Sequence, residues 1–209
     1  EIKDLKIEKY IRNQSKKKKP KVCFIPTATG DDSGYIDNFY KAFNSLDCKT
    51  SHIDFFKRTI NLDAHIMNQD IIFVGGGNTK SMLAVWKEWG LDKILLKAYK
   101  EGIIMSGVSA GAICWFEKGI TDSWKDRQAI LPCLGFVKGI CCPHYDEEPE
   151  RIPFVKPKQF MIFSSLAHES VIPFSNQHIA PALTPLIIVP DSYASFRILS
   201  SPQSRQTAN

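Results

Sequence analysis

Residues 102–112 read "GIIMSGVSAGA", a strand-like apolar run that ends in Ser109, with Gly107 two positions before the serine and Gly111 two after it. This G-x-S-x-G spacing is that of a nucleophile elbow, where a strand turns so sharply into a helix that only small neighbours avoid a clash. A serine in such a turn is held in a strained backbone conformation with its hydroxyl in a cleft. The helix expected to open at Ala110 aims its first amides at the same spot, where developing negative charge would be stabilised. A plain small-residue turn satisfies the same spacing, so the motif alone does not establish a nucleophile.

Working outward, the chain alternates strand and helix signals. Apolar runs over residues 21–28 ("KVCFIPTA"), 51–56 ("SHIDFF"), 70–76 ("DIIFVGG") and 102–108 predict strands, and their continuous apolar character suits burial on both faces. Helices are predicted over 33–46, 79–90 and 91–102, the last two stopped by Gly90 and Gly102. Strand and helix in alternation predict an α/β fold, a mostly parallel sheet with crossover helices. Residues 1–20 read as a charged helix and linker, and residues 21–154 as the α/β domain that carries Ser109. Residues 155–209 read as a partly irregular segment of the same domain, rich in proline and ending in the polar "SSPQSRQTAN".

A chain of 209 residues with 44% hydrophobic content is long enough for one sizeable core. Its net charge of +5 is concentrated in "SKKKKPK", where Lys16, Lys17, Lys18, Lys19 and Lys21 cluster ahead of the first strand. A lysine run without interleaved aromatic and further basic residues reads as a solvated linker, not as a nucleic-acid patch. No stretch approaches the roughly 18 apolar residues that a membrane span needs, and the first residues are charged throughout, so a soluble, cytoplasmic protein with no membrane partner is expected. The six cysteines, Cys23, Cys48, Cys114, Cys133, Cys141 and Cys142, lack C-x-x-C spacing and paired histidines. Buried free thiols are expected, with neither a disulfide framework nor a metal site.

A second glycine turn, "VGGGNTKSM" (residues 74–82), also ends a strand and opens a helix. Amides of Gly76, Gly77 and Asn78 could there face an oxyanion or a phosphate. Neither nucleotide fingerprint, G-K-[ST] in Walker spacing or G-x-G-x-x-G with a downstream acid, is met. In an open parallel sheet, two strand ends carrying glycine turns can converge on one crevice. A serine nucleophile needs a base. Of the five histidines, His144 in "CCPHYDEEPER" lies between an apolar segment and an acidic loop, whereas His52 and His65 are more easily structural and His168 and His178 fall in the irregular segment. Asp122, Asp146, Glu147 and Glu148 are the acids that could orient such a base, and spacing does not choose among them.

Taken together, "FIPTA", "FVGGGNT", "GVSAGAICWF", "ITDSW" and "PHYDEEPER" resemble, in order and spacing, the peptidase E group of serine peptidases, the alpha-aspartyl dipeptidases, with cyanophycinases as more distant relatives. The resemblance runs from about residue 21 to residue 154. It implies a three-layer sandwich with a mostly parallel sheet like that of class I glutamine amidotransferases, a serine in place of their cysteine nucleophile, and hydrolysis of dipeptides with an N-terminal aspartate. Carried over by position, it implies Ser109 as nucleophile, His144 as base and Asp122 as acid. Gly77 and Ala110 fall on the oxyanion donors and Arg151 on the arginine that holds the substrate's aspartate; Asn78, which follows Gly77 in the glycine turn, is expected with Arg151 to bind substrate. No metal or cofactor is implied, and the expected partner is a small peptide bound by a monomer or homodimer. The chain departs from the family pattern before Lys21 and after Phe154, which predicts altered ends to the fold.

Two other classes fit some of the same residues. A non-catalytic homologue, in which the motifs persist on a scaffold with altered ends, predicts no covalent labelling of Ser109. An α/β-hydrolase esterase shares the serine elbow and the order Ser, Asp, His, but sits poorly with the short chain and the "GGGNT" turn.

Overall fold

The computed structural model describes residues 5–144, 148–154, 161–164, 187–188 and 196–198. Its first half is the predicted alternation. Strands β1 (Lys21–Ile25), β2 (Lys49–His52), β3 (Ile71–Val74) and β4 (Ile104–Gly107) pair in parallel in the order β2-β1-β3-β4, and β9 (Ile187–Ile188) extends the sheet beside β4. Helices α1 (Lys6–Asn13) and α2 (Ser33–Ser45) cover one face, while α3 (Leu62–Met67), α4 (Thr79–Glu88) and α5 (Leu91–Lys100) cover the other.

The strand residues sort themselves between these layers by parity. Val22, Phe24, Ile71 and Phe73 pack with Ile11, Ile36, Phe39 and Phe43 on the α1/α2 side. Cys23, Ile25, Ile72, Val74 and Met105 pack with Trp86, Leu91 and Leu95 on the α4/α5 side. Successive strand side chains point to opposite faces, so a strand clothed on both sides must be apolar at every position, which is how β3 reads. The three layers match the predicted α/β sandwich. Helix starts follow their caps: the side chains of Asp32, Asn61 and Asn78 accept from the backbone amides of Tyr35, Ala64 and Ser81.

Residues 113–142 hold what periodicity did not anticipate. After α6 (Ala110–Ile113), a single turn, the chain enters β5 (Phe116–Trp124), returns through β6 (Arg127–Pro132) and continues into β7 (Val137–Cys142). These join β8 (Met161–Ser164) and β10 (Phe196–Ile198) in a second, mixed sheet of order β10-β8-β7-β5-β6. The β5/β6 hairpin is antiparallel, whereas β5/β7 and β7/β8 are parallel. Charges and a glycine interrupt β5, and β6 is largely exposed at the sheet edge, so neither carries a clean period-two signal. Strands beyond residue 154 thus contribute to both sheets.

The thiols are free, as expected, and those of Cys23, Cys114, Cys141 and Cys142 are buried. Burial pushes the Cys23 thiol up to about 12, a Ser51 hydrogen bond opposing the shift, and pushes Cys133 likewise to about 12. Such thiols stay protonated and unreactive. Among the described residues no group of histidine, cysteine and carboxylate side chains is arranged to hold a metal, and no helix is long and apolar enough to cross a membrane.

Candidate active site

Ser109 follows β4 and caps α6 with φ +51° and ψ −112°, a conformation that non-glycine residues seldom adopt. The small neighbours make this possible. A side chain at Gly111 would strike the Val74 carbonyl, and one at Gly107 would strike the backbone of Gly111. Strand β3 and the new turn of helix therefore pass in direct backbone contact, and the chain reverses beneath the serine. Within the turn, Gly111 N–H donates to Val108 O and Ile113 N–H to Ser109 O. The helix is only one turn long, so the local amides, not an extended dipole, set the electrostatics around Ser109.

The two glycine turns do converge. Val74 and Gly107 are register partners on adjacent strands, and Gly76 lies against Ser109, with Ser109 Cβ 3.2 Å from where a side chain on Gly76 would begin. The Gly76 amide donates to Tyr35 Oη at 3.2 Å. Asn78 N–H donates to Ala28 O at 2.8 Å. Both are therefore engaged within the protein. Gly77 sits between them at φ +131°, packed so closely on Ala28 that no side chain would fit. Ala110, buried, opens the turn after Ser109.

The Asn78 side chain is also fully used. Its oxygen accepts from Ser81 N–H at 2.9 Å and its nitrogen donates to Ser123 O at 3.0 Å. Lys80 N–H donates to Ser123 Oγ at 3.1 Å, and Thr121 Oγ1 donates to Thr79 Oγ1 at 3.3 Å. Asn78, expected from sequence to bind substrate, thus joins Thr79 and Lys80 in stitching the start of α4 to β5. The Asn-Thr pair carries no periodic signal that would announce such a role.

His144 lies just past the end of β7, itself at φ +53°. Its Nε2 stands 3.1 Å from Ser109 Oγ. The structure thus brings together the serine and the histidine singled out in the sequence, across 35 residues and from two different sheets.

Arg151 belongs to the 3-10 segment Pro149–Phe154 and is 2% exposed. Its Nη1 donates to Ile120 O at 3.0 Å, and its Nε and Nη2 both reach Glu148 Oε2 at 2.7 Å. Asp122, 65% exposed, stands 3.6 Å from Arg151 Nη2. Asp122 is thus placed on the guanidinium, in one charged cluster with Glu148. A buried arginine needs such partners, because an unpaired charge in that position would be strongly destabilising. Glu148 is the member of the acidic loop that sequence could not single out; Asp146 and Glu147 lie outside the described residues, as do His168 and His178. The other histidines have structural partners, His52 with Tyr40 and His65 with Ser51.

A strand-borne serine at positive φ, in contact with a histidine from a second sheet, can be compared with known families. The model of Peptidase family S51 matches residues 2–178. The chain belongs to this family. The resemblance read from the sequence motifs therefore holds, and the family match extends beyond the motifs on both sides. The uncharacterized peptidase YgaJ of Bacillus subtilis (strain 168) is 52% identical over 151 residues, covering 72% of this chain and 65% of the relative. The chain thus matches just under two thirds of that relative's length. A solved structure of a candidate peptidase E protein from Listeria monocytogenes EGD-e, 24% identical, superposes with a TM-score of 0.53 over 67% of this chain and 74% of its own. A peptidase from an acI-B1 Actinobacterium, 16% identical, does so with a TM-score of 0.57 over 76% and 72%. Both share the α/β fold.

Proposed function

We propose that this protein is a serine peptidase that hydrolyses dipeptides with an N-terminal aspartate through an acyl-enzyme. The observation that carries the reading is the 3.1 Å approach of His144 Nε2 to Ser109 Oγ, with the serine held at φ +51° on a strand-to-helix turn. His144 accepts the Ser109 proton as the hydroxyl attacks the peptide carbonyl. The oxyanion forms against the amides of Gly77 and Ala110. His144 then returns the proton to the leaving amine, and a water activated by the same histidine releases the acyl group. Loss of one oxyanion donor costs about 3–4 kcal/mol in barrier height.

In this reading Asp122 is the acid and Arg151 meets the substrate's aspartate. The Asp122 contact at 3.6 Å is the looser of the two that Arg151 makes with carboxylates, and its donor, Nη2, is where a substrate carboxylate would compete. A guanidinium fork suits a carboxylate. The family resemblance and the carboxylates already gathered on Arg151 support the aspartate specificity.

The test is hydrolysis of Asp-Leu by the purified chain and by Ser109→Ala, with circular dichroism confirming that both are folded. Turnover that vanishes with Ser109→Ala, by a factor of about 10⁶ in kcat, and that falls sharply for Ala-Leu is the expected result. A folded chain that leaves Asp-Leu intact would overturn the reading in favour of a non-catalytic homologue.

A further inference from the structure

Ser109 and His144 open onto a cavity of about 580 Å³ on the α1/α2 side of the parallel sheet. Its walls include Leu5 ahead of α1, Phe39, Ala42 and Phe43 of α2, Phe73 of β3, and Val108. The α2 residues recur at helical spacing, so the same face that docks the helix on the sheet also lines the cavity. The floor is aromatic and packed: ring centroids lie 5.0 Å apart for Phe39 and Phe43, and 5.4 Å for Phe43 and Phe73. Its volume falls in the range of about 300–1,000 Å³ typical of small-molecule sites. None of Asp122, Glu148 and Arg151 lines it. Arg151 is instead anchored to β5, in the second sheet, through Ile120 O.

Ser109 and His144 therefore face an apolar cavity held by α2 and β3, while the charged cluster held by the second sheet stays outside it and is tied to His144 by the Glu148 N–H, which donates to His144 O at 2.8 Å. With the substrate's aspartate at Arg151, outside the cavity, the cavity is left for the residue across the scissile bond. We propose that this cavity receives the side chain of the leaving residue, Xaa of Asp-Xaa, and selects large apolar residues such as leucine and phenylalanine over small or acidic ones. The inference rests on the reading of Ser109 as the nucleophile of an Asp-Xaa peptidase. A small Xaa leaves the aromatic floor uncovered, and an acidic one must lose its hydration there, next to a further carboxylate, Glu8, at the wall. An apolar pocket discriminates by about 10–200-fold per methylene group.

The test separates binding from turnover. Titration calorimetry on Ser109→Ala, which holds peptides without cleaving them, is expected to show Asp-Leu and Asp-Phe binding at least about tenfold more tightly than Asp-Ala and Asp-Glu. Adding Ala42→Leu, which fills the cavity from α2, should remove the advantage of Asp-Leu and Asp-Phe over Asp-Ala. Asn38→Trp, on the same helix and also at the cavity wall, serves as the second filling variant should Ala42→Leu not fold. Equal affinity for all four peptides, no binding of Asp-Leu or Asp-Phe, or a filling variant that weakens all four alike would overturn the proposal. Tighter binding of Leu-Ala than of Asp-Leu would also overturn it, by assigning the cavity to the acyl side. If the expected preference is found but the native chain does not turn over, the catalytic reading falls, and the cavity stands as the site for an apolar second residue of a bound peptide rather than of a leaving group.

Discussion

In the parallel sheet, everything that matters to the site lies at the ends of two neighbouring strands: Gly76 after β3 and Ser109 after β4, placed by turns of a few residues. In the mixed sheet, the corresponding groups are scattered: Asp122 on β5, His144 past β7, and Glu148 and Arg151 in the segment that follows. The first region builds its part of the site from local backbone geometry, the second from pairings between distant segments. The Ser109 turn is therefore set by contacts between neighbouring strand ends, whereas the placement of His144, Asp122 and Arg151 depends on how the second sheet is assembled.

This comparison can be broken at several points. The largest expected effect is in Asp122→Asn. If Asp122 is the acid of the site, kcat for Asp-Leu falls by about 10⁴-fold with KM little changed. A rise in KM with kcat preserved would instead assign the Asp122 carboxylate wholly to Arg151, and the mixed sheet would then supply a base without its acid. Next is Arg151→Ala, which leaves Glu148 without its cation and strips a donor from the Ile120 carbonyl. It is expected to cost about 1–3 kcal/mol in urea unfolding, because the Glu148 and Asp122 carboxylates left behind are partly hydrated while the Ile120 carbonyl loses its donor. An unchanged midpoint would show that the cluster does not hold the second sheet together.

Ser123→Ala probes the seam between the two regions, where Ser123 Oγ accepts from Lys80 N–H. A loss of about 1–2 kcal/mol is expected, with near-native kcat, because the hydrogen bonds of Ser123 Oγ with Lys80 N–H and Thr121 Oγ1 are removed while that from the Asn78 side chain to the Ser123 carbonyl remains. The smallest effect lies in the parallel sheet. Burial and the neighbouring His52 hold the His65 imidazole below its ordinary pKa of 6.5. The folded state therefore binds this proton less readily than the unfolded chain, and stability is lost as the pH falls from about 6.5 through the lower folded value. The unfolding midpoint of His65→Gln, measured between pH 7 and 5, should fall less steeply than that of the native chain.

Much of the first region was legible because its signals are short in range. Continuous apolar runs mark strands buried on two faces, apolar residues at helical spacing with glycine stops mark α4 and α5, and G-x-S-x-G marks a turn that few residues can make. His144 stood out among the histidines because of the apolar run before it and the acidic loop after it, and the structure sets it 3.1 Å from Ser109 Oγ. The mixed sheet was not read, because β5 is broken by charges and Gly119, and β6 lies at an exposed edge, so its residues need not alternate. Asn78 illustrates the same limit within a recognised motif: its amide is consumed by a cap and by a bond to Ser123, a partner 45 residues away.

What the sequence by itself determined is the alternation of buried strands and amphipathic helices, the family, and a serine forced into a strained turn by Gly107 and Gly111. Each depends on neighbours within a few positions or on motifs whose order survives in one dimension. Only the tertiary structure decided that His144 reaches Ser109, that Arg151 is buried between Glu148 and Asp122, and that α2 and β3 leave an apolar cavity beside the serine. These outcomes depend on which strands pair, in what register, and on which helix face meets the sheet, and such long-range packing leaves no local mark in the chain.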